Sequence, residues 1–162
     1  MSKQSAGILL FRFTNTIPEV LLVHPGGPFW MKKDMGAWSV PKGEFTTEEP
    51  LEAAKREFKE ELGISVTGTF MELLPLKQKS GKIIYVWASQ GNIDTTQIES
   101  NVFELEWPPK SGVVKQFPEI DKAAWFSLSE AKEKINPGQI GFIDQLEKNI
   151  LATNKYDTNF TN

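Results

Sequence analysis

Two apolar runs, Ser5 to Phe13 and Val20 to His24, flank Thr14-Asn15-Thr16 and Pro18 and read as a β-hairpin. Pro25-Gly26-Gly27-Pro28 then opens a long loop through Lys33, and Ala37 to Val40 reads as a short strand. Next, the period changes. Leu51, Ala54, Phe58 and Leu62 recur at i, i+3, i+7 and i+11, the buried stripe of an amphipathic helix. Pro50 suits its first turn, Thr47 or Glu49 its N-cap, and Gly63 its left-handed stop. Further strands are expected over Ile64 to Leu74, Ile83 to Ser89, Val102 to Trp107 and Ala123 to Phe126, with a Pro-rich loop after Trp107. Ser127 or Ser129 caps a helix ending near Ile135. Gly138 to Leu151 reads as a last helix, with Ile140, Ile143, Leu146 and Ile150 on its apolar side. This order predicts an α/β (α+β) fold, a mixed sheet between helices, in one domain over 1–152. The polar stretch 153–162 is expected to fray as a flexible C-terminal tail.

Composition narrows the function classes. A hydrophobic fraction of 40% with five tryptophans describes a folded globule. No apolar run is long enough to span a bilayer, and Met1-Ser2-Lys3-Gln4 leads directly into a strand without a signal-peptide core. A cytoplasmic location with no membrane partner is therefore expected. The absence of cysteine removes thiolate nucleophiles, disulfides and Cys-type zinc sites. The single histidine, His24, excludes His-pair metal sites and is read as a strand-end residue with no catalytic role. A net charge of −3 disfavours a nucleic-acid partner.

The chemistry concentrates beside the helical stripe. Glu57, Glu60 and Glu61 stand at i, i+3 and i+4 and share one arc of the helix. Three anions so placed repel one another, and a hard divalent cation, which prefers oxygen ligands, reverses that cost. Acidic helix faces are more often plain solvated surface, so the carboxylates alone do not decide. Ala53 lies on the same arc, where its small side chain is expected to leave room for metal or phosphate. The preceding Pro41-Lys42-Gly43 turn and polar loop supply the missing context.

Gly43 to Ile64 resembles the Nudix box: Gly, five residues, Glu, seven residues, then Arg-Glu-apolar-x-Glu-Glu-x-Gly-apolar. The second half matches from Glu48 through Arg56 to Ile64, whereas four residues rather than five separate Gly43 from Glu48. The resemblance implies a Nudix-type α/β/α sandwich with a loop-helix-loop box, and Mg²⁺ (with Mn²⁺ as an alternative) held by Glu57, Glu60 and Glu61. A backbone carbonyl at Lys42 or Gly43 would add a further oxygen. Gly43, Glu48, Arg56 and Gly63 become structural, with Arg56 and Glu48 paired. The general base is then a box glutamate, Glu57 or Glu60, or a later one, Glu119 in Phe117-Pro118-Glu119-Ile120-Asp121.

Lys42, Trp38 and Trp30 are the candidate substrate contacts, Lys42 for polyphosphate and the tryptophans for stacking a base. The implied reaction is hydrolysis of a phosphoanhydride in a small-molecule nucleotide: a nucleoside triphosphate, a dinucleoside polyphosphate such as diadenosine tetraphosphate, or ADP-ribose. The shortened loop keeps an alternative open, a catalytically weak nucleotide-binding sensor. A Ca²⁺-binding or basic-partner-binding acidic helix is disfavoured, because no EF-hand loop pattern is present.

Overall fold

The structure, a computed structural model, describes residues 3–157, with side chains over 3–152. Strands β1 (Gln4–Thr14) and β2 (Ile17–Pro25) form the antiparallel hairpin. Its turn is the pair Asn15-Thr16, with φ of 51° and 68°. Two left-handed residues match the twist of the flanking strands. Next come β3 (Lys42–Phe45), α1 (Pro50–Leu62), β4 (Met71–Glu72), β5 (Leu76–Lys77) and β6 (Ile83–Gln90). β7 (Val102–Glu106), β8 (Val114–Pro118), β9 (Ile120–Ser127), α2 (Leu128–Lys134) and α3 (Ile140–Asp157) complete the described chain.

The sheet runs β4-β6-β1-β2-β9, with β3 on β1 and β5 on β6, while β7 and β8 pair separately. β1 pairs with β6 in parallel and with β2 and β3 antiparallel, so the sheet is mixed. Along one edge β1 changes partner: Gln4 to Gly7 face β3, and Phe11 to Thr14 face β2. Gly7 sits where the two partners diverge, and any Cβ there would strike the Pro41 carbonyl.

Both faces of the sheet are covered, which explains the continuous apolar runs of its central strands. Ala6, Ile8 and Leu10, Leu21 and Val23, and Trp87 pack toward α1, against Ala53, Ala54, Phe58 and Leu62. Leu9, Val20, Leu22, Ile84, Val86 and Ala88 pack on the other face against Ala131, Phe142, Ile143, Leu146 and Ile150. The result is an α/β/α sandwich in which α1 lies across β1 and β3.

Several expectations are corrected. The strand leading into α1 is Lys42–Phe45, and residues 37–40 make only isolated bridges, Val23 with Ser39 and Trp38 with Ile135. Pairing with Gln4 to Gly7 extends what reads locally as a turn. Of 64–74 only Met71–Glu72 joins the sheet; Gly68, at φ 115°, interrupts the extended run. The Pro-rich loop after Trp107 leads into a strand, β8, that completes a hairpin. Glu49 is the N-cap of α1, without a side-chain capping bond. Ser127 caps α2, its hydroxyl accepting from the Glu130 N–H at 3.3 Å.

Ala53 is fully buried in the layer between α1 and the sheet, so the room expected beside the acidic arc is filled by core. The helix backbone continues through Asp157, past the expected boundary at residue 152. The rest of the expected tail, 158–162, lies outside the described residues.

Candidate active site

The site forms where β3 passes under α1. Gly43 is needed there for space: a Cβ would overlap the Glu57 carboxyl carbon and Oε2, with Oε1 at 2.5 Å. Its φ is not left-handed, so the glycine serves close approach and not chain reversal. One residue earlier, the Lys42 N–H donates to Glu61 Oε1 at 3.2 Å. β3 therefore holds two α1 carboxylates, at i and i+4, against the sheet.

Burial acts on both. It raises the Glu57 carboxyl pKa above the usual range, against the pull of Arg56. Glu61 is pushed up to about 8, first by burial and then by the neighbouring Glu57 charge, with Lys42 opposing. The Lys42 ammonium pKa is lowered by burial and by Lys82, with Glu61, Glu44 and Glu57 pulling the other way. Buried Glu57 and half-buried Glu61, the second raised by the charge of the first, form an oxygen-rich, electron-rich site suited to a hard cation.

Glu60 is placed differently. It lies at the rim, its side chain 39% exposed, and accepts from Arg56 Nη1 at 3.1 Å. The same nitrogen donates to Glu57 Oε1 at 2.8 Å. On its other edge Arg56 grips Glu48, with Nε to Oε2 at 2.9 Å and Nη2 to Oε1 at 2.6 Å. One guanidinium thus ties the loop before α1 to two of the three carboxylates, and pairing with Glu48 lowers that carboxyl's pKa. Among the described residues no three carboxylates form a ready-made metal cluster, because Arg56 already occupies the space between Glu57 and Glu60.

Gly63 ends α1 at φ 74°, its N–H donating to the Lys59 carbonyl at 2.7 Å. The carbonyls freed at this end set the distant part of the site. Leu62 O accepts the Glu99 N–H at 2.9 Å and Glu60 O accepts the Asn101 N–H at 3.1 Å. Asn101 O accepts the Glu119 N–H, and Glu119 O accepts the Gly26 N–H, both at 2.8 Å. This relay brings exposed Glu119 near α1, where its charge contributes to the raised pKa values of Glu57 and Glu61.

The candidate aromatics divide. Trp38 is 4% exposed and belongs to the core. Its Nε1 donates to Asp34 Oδ1 at 2.7 Å, its ring meets His24 and Phe126 edge-on, and Lys122 lies 5.5 Å over it. No open ring face is left for a base, which corrects the expectation of a substrate contact there. Trp30 is 39% exposed, with Lys33 Nζ 5.0 Å from its ring. Phe29 meets Trp107 edge-on at 5.3 Å. The 25–36 loop and the β7–β8 hairpin thus present aromatic rings on the side of the sheet end where Gly26 bonds Glu119.

Sequence reasoning missed the group behind this loop. His24 is fully buried and bonds Asp121 and the Lys33 carbonyl. The available signal was parity: His24 shares a strand face with Val20 and Leu22, both core residues.

Fold and site together define a two-faced sandwich that presents a helix-borne carboxylate pair beside a strand. A family model for the NUDIX domain matches residues 1–146. The chain belongs to the Nudix family. A search of curated proteins returns no match. Among solved structures, a Caenorhabditis elegans Ap4A hydrolase binary complex is similar at TM-score 0.64 and 20% identity, covering 93% of this chain and 98% of that one. The NUDIX domain of Shewanella oneidensis NrtR, complexed with ADP ribose, has TM-score 0.64 and 13% identity, covering 93% and 89%. A mutT/nudix family protein from Listeria innocua has TM-score 0.61 and 14% identity, covering 93% and 95%. At these identities the likeness concerns the fold.

Proposed function

We propose that this protein is a Mg²⁺-dependent hydrolase of a phosphoanhydride bond in a nucleoside-diphosphate-linked small molecule. Nucleoside triphosphates and dinucleoside polyphosphates such as diadenosine tetraphosphate are the leading candidates, with ADP-ribose a further one. The reaction takes place in the cytoplasm. The carrying observation is buried Glu57 against Gly43, where a side chain has been omitted so that a carboxylate fits, beside half-buried Glu61 on the Lys42 N–H.

The residues fit a divalent cation: the donors are oxygens, and their mutual repulsion is relieved by positive charge. Glu57 and Glu61 would hold it, with Glu60 reaching in from the rim and a carbonyl of Lys42 or Gly43 beside them. Bound Mg²⁺ supplies charge neutralisation at phosphate oxygens and a more acidic water. Glu119 accepts the proton of the attacking water, since it is an exposed carboxylate whose charge reaches both Glu57 and Glu61. The Lys42 ammonium faces the polyphosphate, and Trp30 and Phe29 offer ring faces to a base.

The test is incubation with nucleoside di- and triphosphates, ADP-ribose and diadenosine polyphosphates in Mg²⁺ or Mn²⁺, with product identification. Turnover that is lost in Glu57→Gln and Glu61→Gln supports the reading. Tight nucleotide binding without turnover under either metal would replace it with the sensor.

A further inference from the structure

We propose that His24, as a doubly protonated imidazolium, is a positioning residue that clamps the 25–36 loop to the segment carrying Glu119. Its kinetic consequence rests on the hydrolase reading above; its protonation rests on geometry alone.

Nδ1 lies 2.8 Å from Asp121 Oδ1, and Nε2 lies 2.7 Å from the Lys33 carbonyl oxygen. A carbonyl can only accept, and so can a carboxylate, so both ring nitrogens must donate. An imidazole with two N–H groups is a cation. Because the ring is fully buried, water is not available to replace either partner.

Other charged groups complete the setting. From β9, Asp121 contacts the ring and Lys122 covers the indole of Trp38, which packs on the imidazole at 5.2 Å. From the loop, Asp34 holds Trp38 Nε1, and from α2, Lys134 pairs with Asp34. Asp121, in contact with the ring, therefore offsets its charge.

The two partners belong to the two elements proposed above to carry the base and the substrate contacts. Asp121 is two residues past Glu119, and the β2–β9 register shifts between His24 and Pro25, leaving Pro25 opposite Ile120. A side-chain tie at this irregularity adds to the Gly26 N–H bond to the Glu119 carbonyl in fixing the Glu119 segment. On the other side, Lys33 closes the loop that presents Phe29, Trp30 and Lys32. One ring therefore links the far end of the loop that grips substrate to the segment that bears the base, beyond the Gly26–Glu119 backbone bond at the loop's start.

Because the chain has one histidine, ¹⁵N–¹H spectra of the full-length protein report His24 without assignment. The expected result at pH 7 is a bound proton on both ring nitrogens, with Asp121→Asn losing the second. A single ring N–H at pH 7 overturns the proposal, including the case in which Asp121 holds the proton. Two amide variants then divide the clamp. His24→Asn keeps a donor toward Asp121 and releases Lys33; it is expected to raise KM about tenfold with kcat little changed. His24→Gln keeps a donor toward Lys33 and releases Asp121; it is expected to lower kcat by about tenfold to a hundredfold at similar KM.

Losses in both variants that merely track the folded fraction, measured by circular dichroism and Tm, also overturn it. If neither variant folds, the wild-type spectrum and Asp121→Asn decide the matter. A wild-type protein that turns over no nucleotide defeats the hydrolase reading, while the spectrum still decides the clamp.

Discussion

Alanine at position 43 places a methyl group where the Glu57 carboxyl now lies. Its Cβ would fall well inside the 3.0 Å that real Cβ contacts respect, against both the carboxyl carbon and Oε2. Ordinary contact begins at 3.4 Å, so the carboxyl must withdraw by about 1 Å or more. The backbone has no objection, since Gly43 does not use a left-handed φ. The displaced group is also the far end of a side chain, which can rotate. Stability should therefore fall by only about 1–3 kcal/mol, the usual cost of overpacking.

Catalysis should respond far more strongly, because a 1 Å misplacement costs on the order of 10²-fold. The assay is kcat/KM and Mg²⁺ affinity by titration calorimetry, beside thermal unfolding. A double-mutant cycle with Glu57→Gln identifies the route: once Glu57 is neutralised, adding Gly43→Ala should cost little more. Full activity in Gly43→Ala, or additive losses in the cycle, would refute the claim that Gly43 exists to admit Glu57.

Three further outcomes are expected. Glu61 binds its proton up to about pH 8 in the fold but only to about 4.5 when unfolded, so without divalent metal, stability falls as pH rises between those values. At about 1.4 kcal/mol per pKa unit, Glu61→Gln should gain up to a few kcal/mol over wild type at pH 8.5 and nothing near pH 4; equal Tm values in EDTA across that range would contradict this. Ala53→Leu should destabilise by about 1–3 kcal/mol, because it overfills a fully buried position; a wild-type Tm with selective loss of activity would restore the open-cleft view of Ala53. Glu119→Gln should lower kcat by about 10²–10⁴-fold with Mg²⁺ affinity unchanged, and a kcat within twofold of wild type would remove it as the base.

Much of the site is legible from α1 alone. The i, i+3, i+4 spacing places Glu57, Glu60 and Glu61 on one arc, and the apolar stripe identifies the helix face that packs. Periodicity does not fix how deeply the arc is buried. Ala53 and Glu57 turn inward with the core because β3 passes beneath them, whereas Glu60 faces Arg56 at the rim. The aromatics follow the same pattern: Trp30 and Trp38 look alike along the chain, yet one caps a loop and the other fills the space between His24 and Phe126.

By itself the sequence determined the helix that carries the carboxylates, its glycine stop, and the two-faced apolar strands beneath it. Those are local properties, set by side-chain spacing against a 3.6- or 2-residue repeat. The tertiary structure alone decided which carboxylates share a site, that Gly43 makes room for one of them, and that Glu119 reaches α1 through Asn101. It also decided that His24 meets Asp121, 97 residues away. Contacts of that kind depend on which strands pair and in what register, and no window of neighbouring residues contains that information.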